Sequence, residues 1–353
     1  WAPDGSRLYV ADAGAAAISL VSPFAVKRIG VVALAGTGPR AIAVQPGLAR
    51  IFGTEGADEL RGSRGRDELI GYAGDDRLLG GRDNDVLAGD EGNDVLVGGT
   101  YDDRLAGGPG DDQLRGESGN DRLDGGSGND VFDGGTGDDR AEAGEGNDRM
   151  DGGVGDDFLF GGPGDDEIID TSFGNDRRLY GGPGNDLVRG GRGSDRKIRG
   201  GDGDDQLYGE SGTENIGGGD GNDLVDGGRA RDLLAGNNGD DTIVAGSGRD
   251  TVEGGAGDDT IRAADREFDE IDCGPGNDTA IVEDATTATA IAAQDAPSPP
   301  ASPPVAPRPR DTIVDCETVT YAPPEDENIA IVRGTNGNDL PRGTSAEAAL
   351  FGK

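Results

Sequence analysis

Between residues 53 and 281 one large apolar side chain returns every nine positions, and most of what lies between is Gly, Asp, Asn or Arg. The row reads Leu60, Leu69, Leu78, Leu87, Leu96, Leu105, Leu114, Leu123, Phe132, Met150, Leu159 and Ile168. It continues as Leu179, Val188, Ile198, Leu207, Ile216, Val225, Leu234, Ile243, Val252 and Ile261. Neither an amphipathic helix nor a long alternating strand has this period. A repeat array does, if each unit contributes one turn and one short strand. Clean copies are GGPGDDQLR from Gly107, GGSGNDVFD from Gly125, GGVGDDFLF from Gly152 and GGDGNDLVD from Gly218.

The first six residues of a unit suit a turn, because Gly reaches positive φ without a Cβ clash. The last three suit a strand whose middle side chain alone points inward. Two units then make a coil of about eighteen residues, and stacked coils make two parallel sheets with facing aliphatic rows. The expected fold is all-β, a parallel β-roll. Some units depart from the pattern. Asp83, Tyr101 and Ala230 replace the fourth-position Gly, Glu214 replaces the sixth-position Asp, and Ala141 leaves a gap in the apolar row. Extra residues at 170–180 and 190–199 predict bulges.

One aliphatic residue per nine cannot offset the conformational entropy of ordering the unit, so hydrophobic burial alone does not hold such a roll. The remaining stabilisation must come from the turns. Their sixth position carries Asp58, Asp67, Asp76, Asp85, Asp94, Asp103, Asp112, Asp121, Asp130, Asp139, Asp148, Asp157, Asp166, Asp186, Asp205, Asp223, Asp232, Asp241, Asp250 and Asp259. Asp176 and Asp195 hold the same position beside the extra residues. Turns of alternate units stack, so carboxylate lies over carboxylate and repulsion calls for a cation. Calcium accepts six to eight oxygens from carboxylates and carbonyls, whereas magnesium prefers a small octahedron and keeps its waters. Zinc is poorly served by a chain with no His and two Cys. The formal charge of −38, from 70 acidic against 32 basic residues, excludes an electrostatic nucleic-acid binder and also attracts hard cations.

In register, these units resemble the RTX, or hemolysin-type, calcium-binding repeat G-G-x-G-x-D-x-U-x. The resemblance implies a right-handed parallel β-roll (β-solenoid), calcium ions held between successive turns, the sixth-position acids as ligands, and folding on export into a calcium-rich medium. The metal set is therefore the twenty aspartates from Asp58 to Asp259 that match cleanly. The bulged units and Glu214 lie outside it.

The flanks read differently. Residues 1–52 carry PDGSRLYVAD and GPRAIAV, which resemble one antiparallel blade of a YVTN- or NHL-like β-propeller; the alternative is strands that cap the roll. The roll is expected over 53–282, followed by an Ala/Thr/Pro-rich linker or loop at 283–310 that contains PSPPASPPVAPRPR. At 311–321 DTIVDCETV echoes DEIDCGPG at 269–276, each with one Cys. A Cys273–Cys316 disulfide is expected there, fastening the end coil and implying an oxidising compartment; the alternative is two unrelated thiols. Paired Cys in this closing position also resembles secreted actinobacterial calcium-binding repeat proteins. Residues 322–353 contain RGTNGNDLPR, the start of a second, truncated array. Trp1 places the natural start upstream.

Functionally, the reading is a secreted, calcium-binding structural or adhesive module. Calcium ions are its expected partners, with cell-surface or extracellular-matrix components as further candidates. No nucleic acid and no membrane insertion are expected, since no apolar run is long enough to span a bilayer. The absence of His removes Ser-His-Asp triads and zincin motifs, so no catalysis is expected. The alternative is the non-catalytic C-terminal part of a secreted protease or lipase. Ice binding would need paired Thr rows, which the sequence does not suggest.

Overall fold

The computed structural model describes residues 50–282 apart from 171–173 and 266, and 313–320 apart from 317. At 7–11, 17–21, 41–43, 49, 310–312, 321 and 329–333 it describes strand backbone alone. Among these residues the chain is all β without helix, wound as a right-handed parallel β-solenoid. It forms two compact units, Trp1–Gly181 and Gly182–Lys353.

In the first unit successive strands alternate between two sheets. One contains Glu59–Arg61, Arg77–Arg82, Val95–Thr100, Gln113–Ser118, Val131–Thr136, Arg149–Asp151 and Glu167–Ile169. The other contains Asp67–Ala73, Val86–Glu91, Arg104–Pro109, Arg122–Ser127, Arg140–Glu145 and Phe158–Phe160. Leu105 pairs with Leu123, and Leu114 with Phe132, so each aliphatic residue meets its counterpart one coil on. Leu123 is buried between the exposed Arg122 and Asp124, the alternation a one-sided strand requires. Across the extra residues at 170–180 the row holds, with Leu159 opposite Leu179. Ala141 is buried in the row as expected. Phe132, from the facing sheet, reaches its ring tip to within 2.7 Å of where a Cβ on Gly125 would stand, so the ring spans the thin core there.

Many strands run to six residues, beyond the three expected, while others, such as Arg149–Asp151 and Phe158–Phe160, keep to three. In Arg104–Pro109 pairing resumes at Gly108 and Pro109 after passing over Gly107. Extended backbone therefore covers the glycine pair, and the sharp turn is confined to the next three residues. Glycine serves two purposes here. The second- and fourth-position residues have positive φ, as in Gly126 (113°) and Gly128 (125°). A first-position residue such as Gly107 has another constraint: a Cβ there would overlap Asp112 Oδ2 and come within 2.8 Å of the Gly125 carbonyl. Asp83, Tyr101 and Ala230 do adopt φ of 79°, 79° and 82°, a conformation costly to side-chain-bearing residues.

The propeller-blade reading of residues 1–52 is not supported. A blade is a four-stranded antiparallel sheet, but among the described residues only Arg7–Ala11 and Ala17–Val21 pair antiparallel. Ala41–Ala43 pairs in parallel with Glu59–Arg61, and Ala49–Phe52 with the strand at Asp67. The cause is register: Ile42 falls opposite Leu60 and Ile51 opposite Leu69, the same single apolar position the roll uses.

The second unit repeats the architecture with more β-branched rows: Val188, Val225, Ile243 and Ile261 in one sheet, and Ile198, Ile216, Val252 and Ile271 in the other, all buried. The return segment closes it, with Arg310–Val314 beside Glu270–Asp272 and Thr318–Tyr321 beside Thr279–Val282. Cys273 and Cys316 form the expected disulfide, buried, with a Cα–Cα distance of 5.2 Å. Residues 283–309 lie outside the described residues. So does the expected second array, apart from the strand Ile329–Arg333, which pairs in parallel with Arg310–Val314.

Replacing Cys273 and Cys316 together by Ser should free a 43-residue loop and cost about 2–4 kcal/mol. Hydrogen exchange should then rise at 270–282 and 313–320 while residues 60–160 keep their protection. Ala230→Gly removes a positive-φ side chain and should raise the denaturation midpoint, by about 1 kcal/mol of stability.

Candidate metal centre

The sixth-position aspartates do not face solvent. Every one from Asp58 to Asp259 is buried, at most 7% exposed. Their oxygens have separate tasks. The backbone N–H of Asp76 donates to Oδ1 of Asp94 one coil later at 2.7 Å, Asp94 to Asp112, and Asp112 to Asp130. The opposite turn column repeats this through Asp85, Asp103, Asp121, Asp139 and Asp157. The second unit does so from Asp205 to Asp223, Asp241 and Asp259. Extra residues stretch one step without breaking it, as in Asp157 to Asp176 at 2.9 Å.

The other oxygen, Oδ2, is buried without a hydrogen-bond partner at Asp76, Asp85, Asp94, Asp103, Asp112, Asp121, Asp130, Asp139, Asp148 and Asp157. The same holds at Asp205, Asp223, Asp232, Asp241, Asp250 and Asp259. Around it stand the Cβ-less first-position Gly of its own unit and the main-chain carbonyl one coil later, Gly89 O for Asp76 and Gly125 O for Asp112. Asp58 and Asp67 differ. Thr54 and Ser63 replace the second-position Gly, and their N–H groups donate to Oδ2 of Asp58 (2.6 Å) and of Asp67. The array thus opens with two units whose carboxylates are closed by protein donors.

The RTX calcium-binding nonapeptide repeat matches at residues 52–87, 88–123, 97–132, 107–141, 133–168, 166–196, 197–225 and 226–261, together well over half the chain. The chain belongs to this family. No curated protein matches it. Its RTX repeats are calcium-binding repeats, and the geometry fits the ion. These turns offer only hard oxygen: at aspartates such as Asp76, Asp112 and Asp241 a buried carboxylate oxygen lacking a donor, and carbonyls the glycines leave accessible. Among the described residues no three acidic, His or Cys side chains converge on one point. The coordination shell must therefore be completed by main-chain oxygens, which calcium accepts readily. Bound there, calcium supplies the positive charge the buried carboxylates lack.

Two features escaped the sequence reading. Asp269 and Asp278 are buried and continue both columns, accepting from Asp250 N–H (2.8 Å) and Asp259 N–H (2.9 Å). Their signal is an Asp two residues before an apolar position, without the glycine pair. The fifth position also forms a ladder, on the surface and of opposite polarity. Asn93 N–H donates back to Asp75 Oδ1, Asp111 to Asn93, and Asn129 to Asp111. Asp and Asn alternate here, so like charges one coil apart are largely avoided; where Asp138 and Asp156 adjoin, Arg177 pairs with Asp138 at 2.7 Å.

Burial pushes the sixth-position carboxyls upward, against the N–H bonds that lower them. They reach about 6 at Asp112, Asp121 and Asp223, about 7 at Asp76, Asp103, Asp130 and Asp241, and about 8 at Asp139. Glu214 rises to about 9 through burial and its contact with Asp232. A carboxyl that holds its proton more tightly when folded favours the fold in acid. In chelator that contribution is complete below about pH 4 and is lost as pH rises through these folded values. Circular dichroism in chelator should therefore show more β structure at pH 4 than at pH 8; the reverse order would contradict the buried columns.

Proposed function

We propose that the chain is a secreted, non-catalytic module in which the sixth-position aspartates hold calcium between successive coils, and whose folding is driven by that binding. The observation that carries this reading is the buried Oδ2 column, with donor-less oxygens, as at Asp76 and Asp112, beside main-chain carbonyls. An ion between coils would join the carboxylate of one turn to carbonyls of the next, converting repulsion along the column into cohesion. Calcium would thereby supply what one aliphatic residue per unit does not. The Cys273–Cys316 disulfide supports an oxidising, extracellular setting. Residues 53–282 with the return segment 311–321 would form the working module, its role structural or adhesive at a cell surface or matrix.

A calcium titration followed by circular dichroism tests the reading. A coil-like spectrum in chelator at pH 8 should convert cooperatively to β, with magnesium a weak substitute. Full β structure in chelator at that pH would falsify it. Ligand assignment is tested by counting bound calcium. Asp121→Ala with Asp139→Ala, on adjacent coils of one column, should lower the count and raise the calcium midpoint. Asp58→Ala should leave the count unchanged, since Thr54 already satisfies that carboxylate.

A further inference from the structure

On the outer face of one sheet in the first unit, Arg104, Arg122 and Arg140 stand in register on three consecutive coils, with Phe158 and Arg178 next in the same column. Strand spacing sets them about 4.8 Å apart. All four arginines are exposed. Like charges directly opposite in a sheet are destabilising, and the fold demands none here: Val86 and Glu68 occupy the same column on earlier coils. Outward arginines such as Arg50 and Arg149 have local partners, Glu68 at 2.7 Å and Glu167, and within the column Arg140 pairs with Glu142. Arg104 and Arg122 make no ion pair among the described residues.

The column runs into an aromatic patch. The guanidinium of Arg140 lies 4.2 Å from the centre of the Phe158 ring, and that of Arg178 5.7 Å. Tyr180 is 6.4 Å from both Phe158 and Phe160, and Phe160 is 39% exposed. Beside the arginines, the neighbouring outward column carries the carboxylates of Asp124 and Glu142.

We infer that this face binds an acidic polysaccharide lengthwise along the column. Arg104 and Arg122 take its carboxylates or sulfates by paired N–H bonds. Phe160 and Tyr180 offer apolar ring faces against which sugar rings pack. Glu142 is held by Arg140, so Asp124 is the carboxylate that accepts hydrogen bonds from sugar hydroxyls, and the two acids together repel a polymer as densely charged as DNA, with one phosphate per ~1.7 Å of duplex. The inference rests on the extracellular role proposed above and names its partner class.

The test uses the full chain in saturating calcium, with chondroitin sulfate oligosaccharides as the probe and dextran, duplex DNA and phosphatidylglycerol vesicles as comparisons. Chondroitin sulfate should bind, more weakly as salt rises, and the comparisons should not. Arg104→Ala with Arg122→Ala should weaken binding at least about tenfold, and Phe160→Ala should weaken it at unchanged salt dependence. The calcium titration of β signal, run on the same variants, should match the parent, which separates failure of this inference from failure of the calcium reading. Equal binding by parent and double-Arg variant, equal binding of DNA or vesicles, or no binding of chondroitin sulfate would each overturn the inference.

Discussion

Everything in this molecule depends on a carboxylate placed inside a protein and given only half of what it needs. Along the columns, as at Asp94, Asp112 and Asp130, Oδ1 receives an N–H from the adjacent coil, and Oδ2 is left dry and without a donor. A buried acceptor in that state is expensive and a buried charge more so. Repeated along two columns, this would work against the fold in water of neutral pH. The same defect, repeated with the same geometry, is a scaffold for cations: each site is built by two coils and can be filled only when both are in place. Stability and binding are then one quantity, and coil stacking inherits the cooperativity of the ions.

Glycine makes the arrangement possible by subtraction. At the first position it clears the space in which Asp112 Oδ2 and a carbonyl of the next coil approach each other; at the second and fourth it allows the backbone to turn. The apolar row contributes shape more than cohesion. It is one residue deep, and local compensation such as the long Phe132 ring near Ala141 suffices to keep it closed.

Much of this was legible in the sequence because a nine-residue period is a strong constraint. The inward side chain, the two sheets and the acidic columns follow from apolar residues and aspartates each recurring at one phase, and the Cys273–Cys316 bridge from two echoing segments, DEIDCGPG and DTIVDCETV. The misreadings share a cause. AIA at 41–43 and ARIF at 49–52 lack the glycine–aspartate signature, so their apolar residues suggested a different domain, yet pairing answers only to the position of Ile42 and Ile51. Asp269 was missed for the same reason, whereas the unit of Asp278, CGPGND, departs from the pattern only in its first glycine. The different chemistry at Asp58 was hidden because Thr54 reads as an ordinary replacement for glycine, and only coordinates show its amide turned toward the carboxylate. The surface Asp/Asn ladder was visible as composition but not as structure, because its bonds run between residues eighteen apart.

That spacing of eighteen also limits how such a gene can change length. Loss or gain of eighteen codons removes or adds a whole coil, and the flanking coils meet again with identical partners. Nine codons would instead send every later strand to the opposite sheet, splitting a column such as Arg104–Arg122–Arg140 between two faces. Slippage within the repetitive tract should therefore be tolerated in even multiples of the unit, while single extra residues survive only where, as between Asp157 and Asp176, a turn can swallow them.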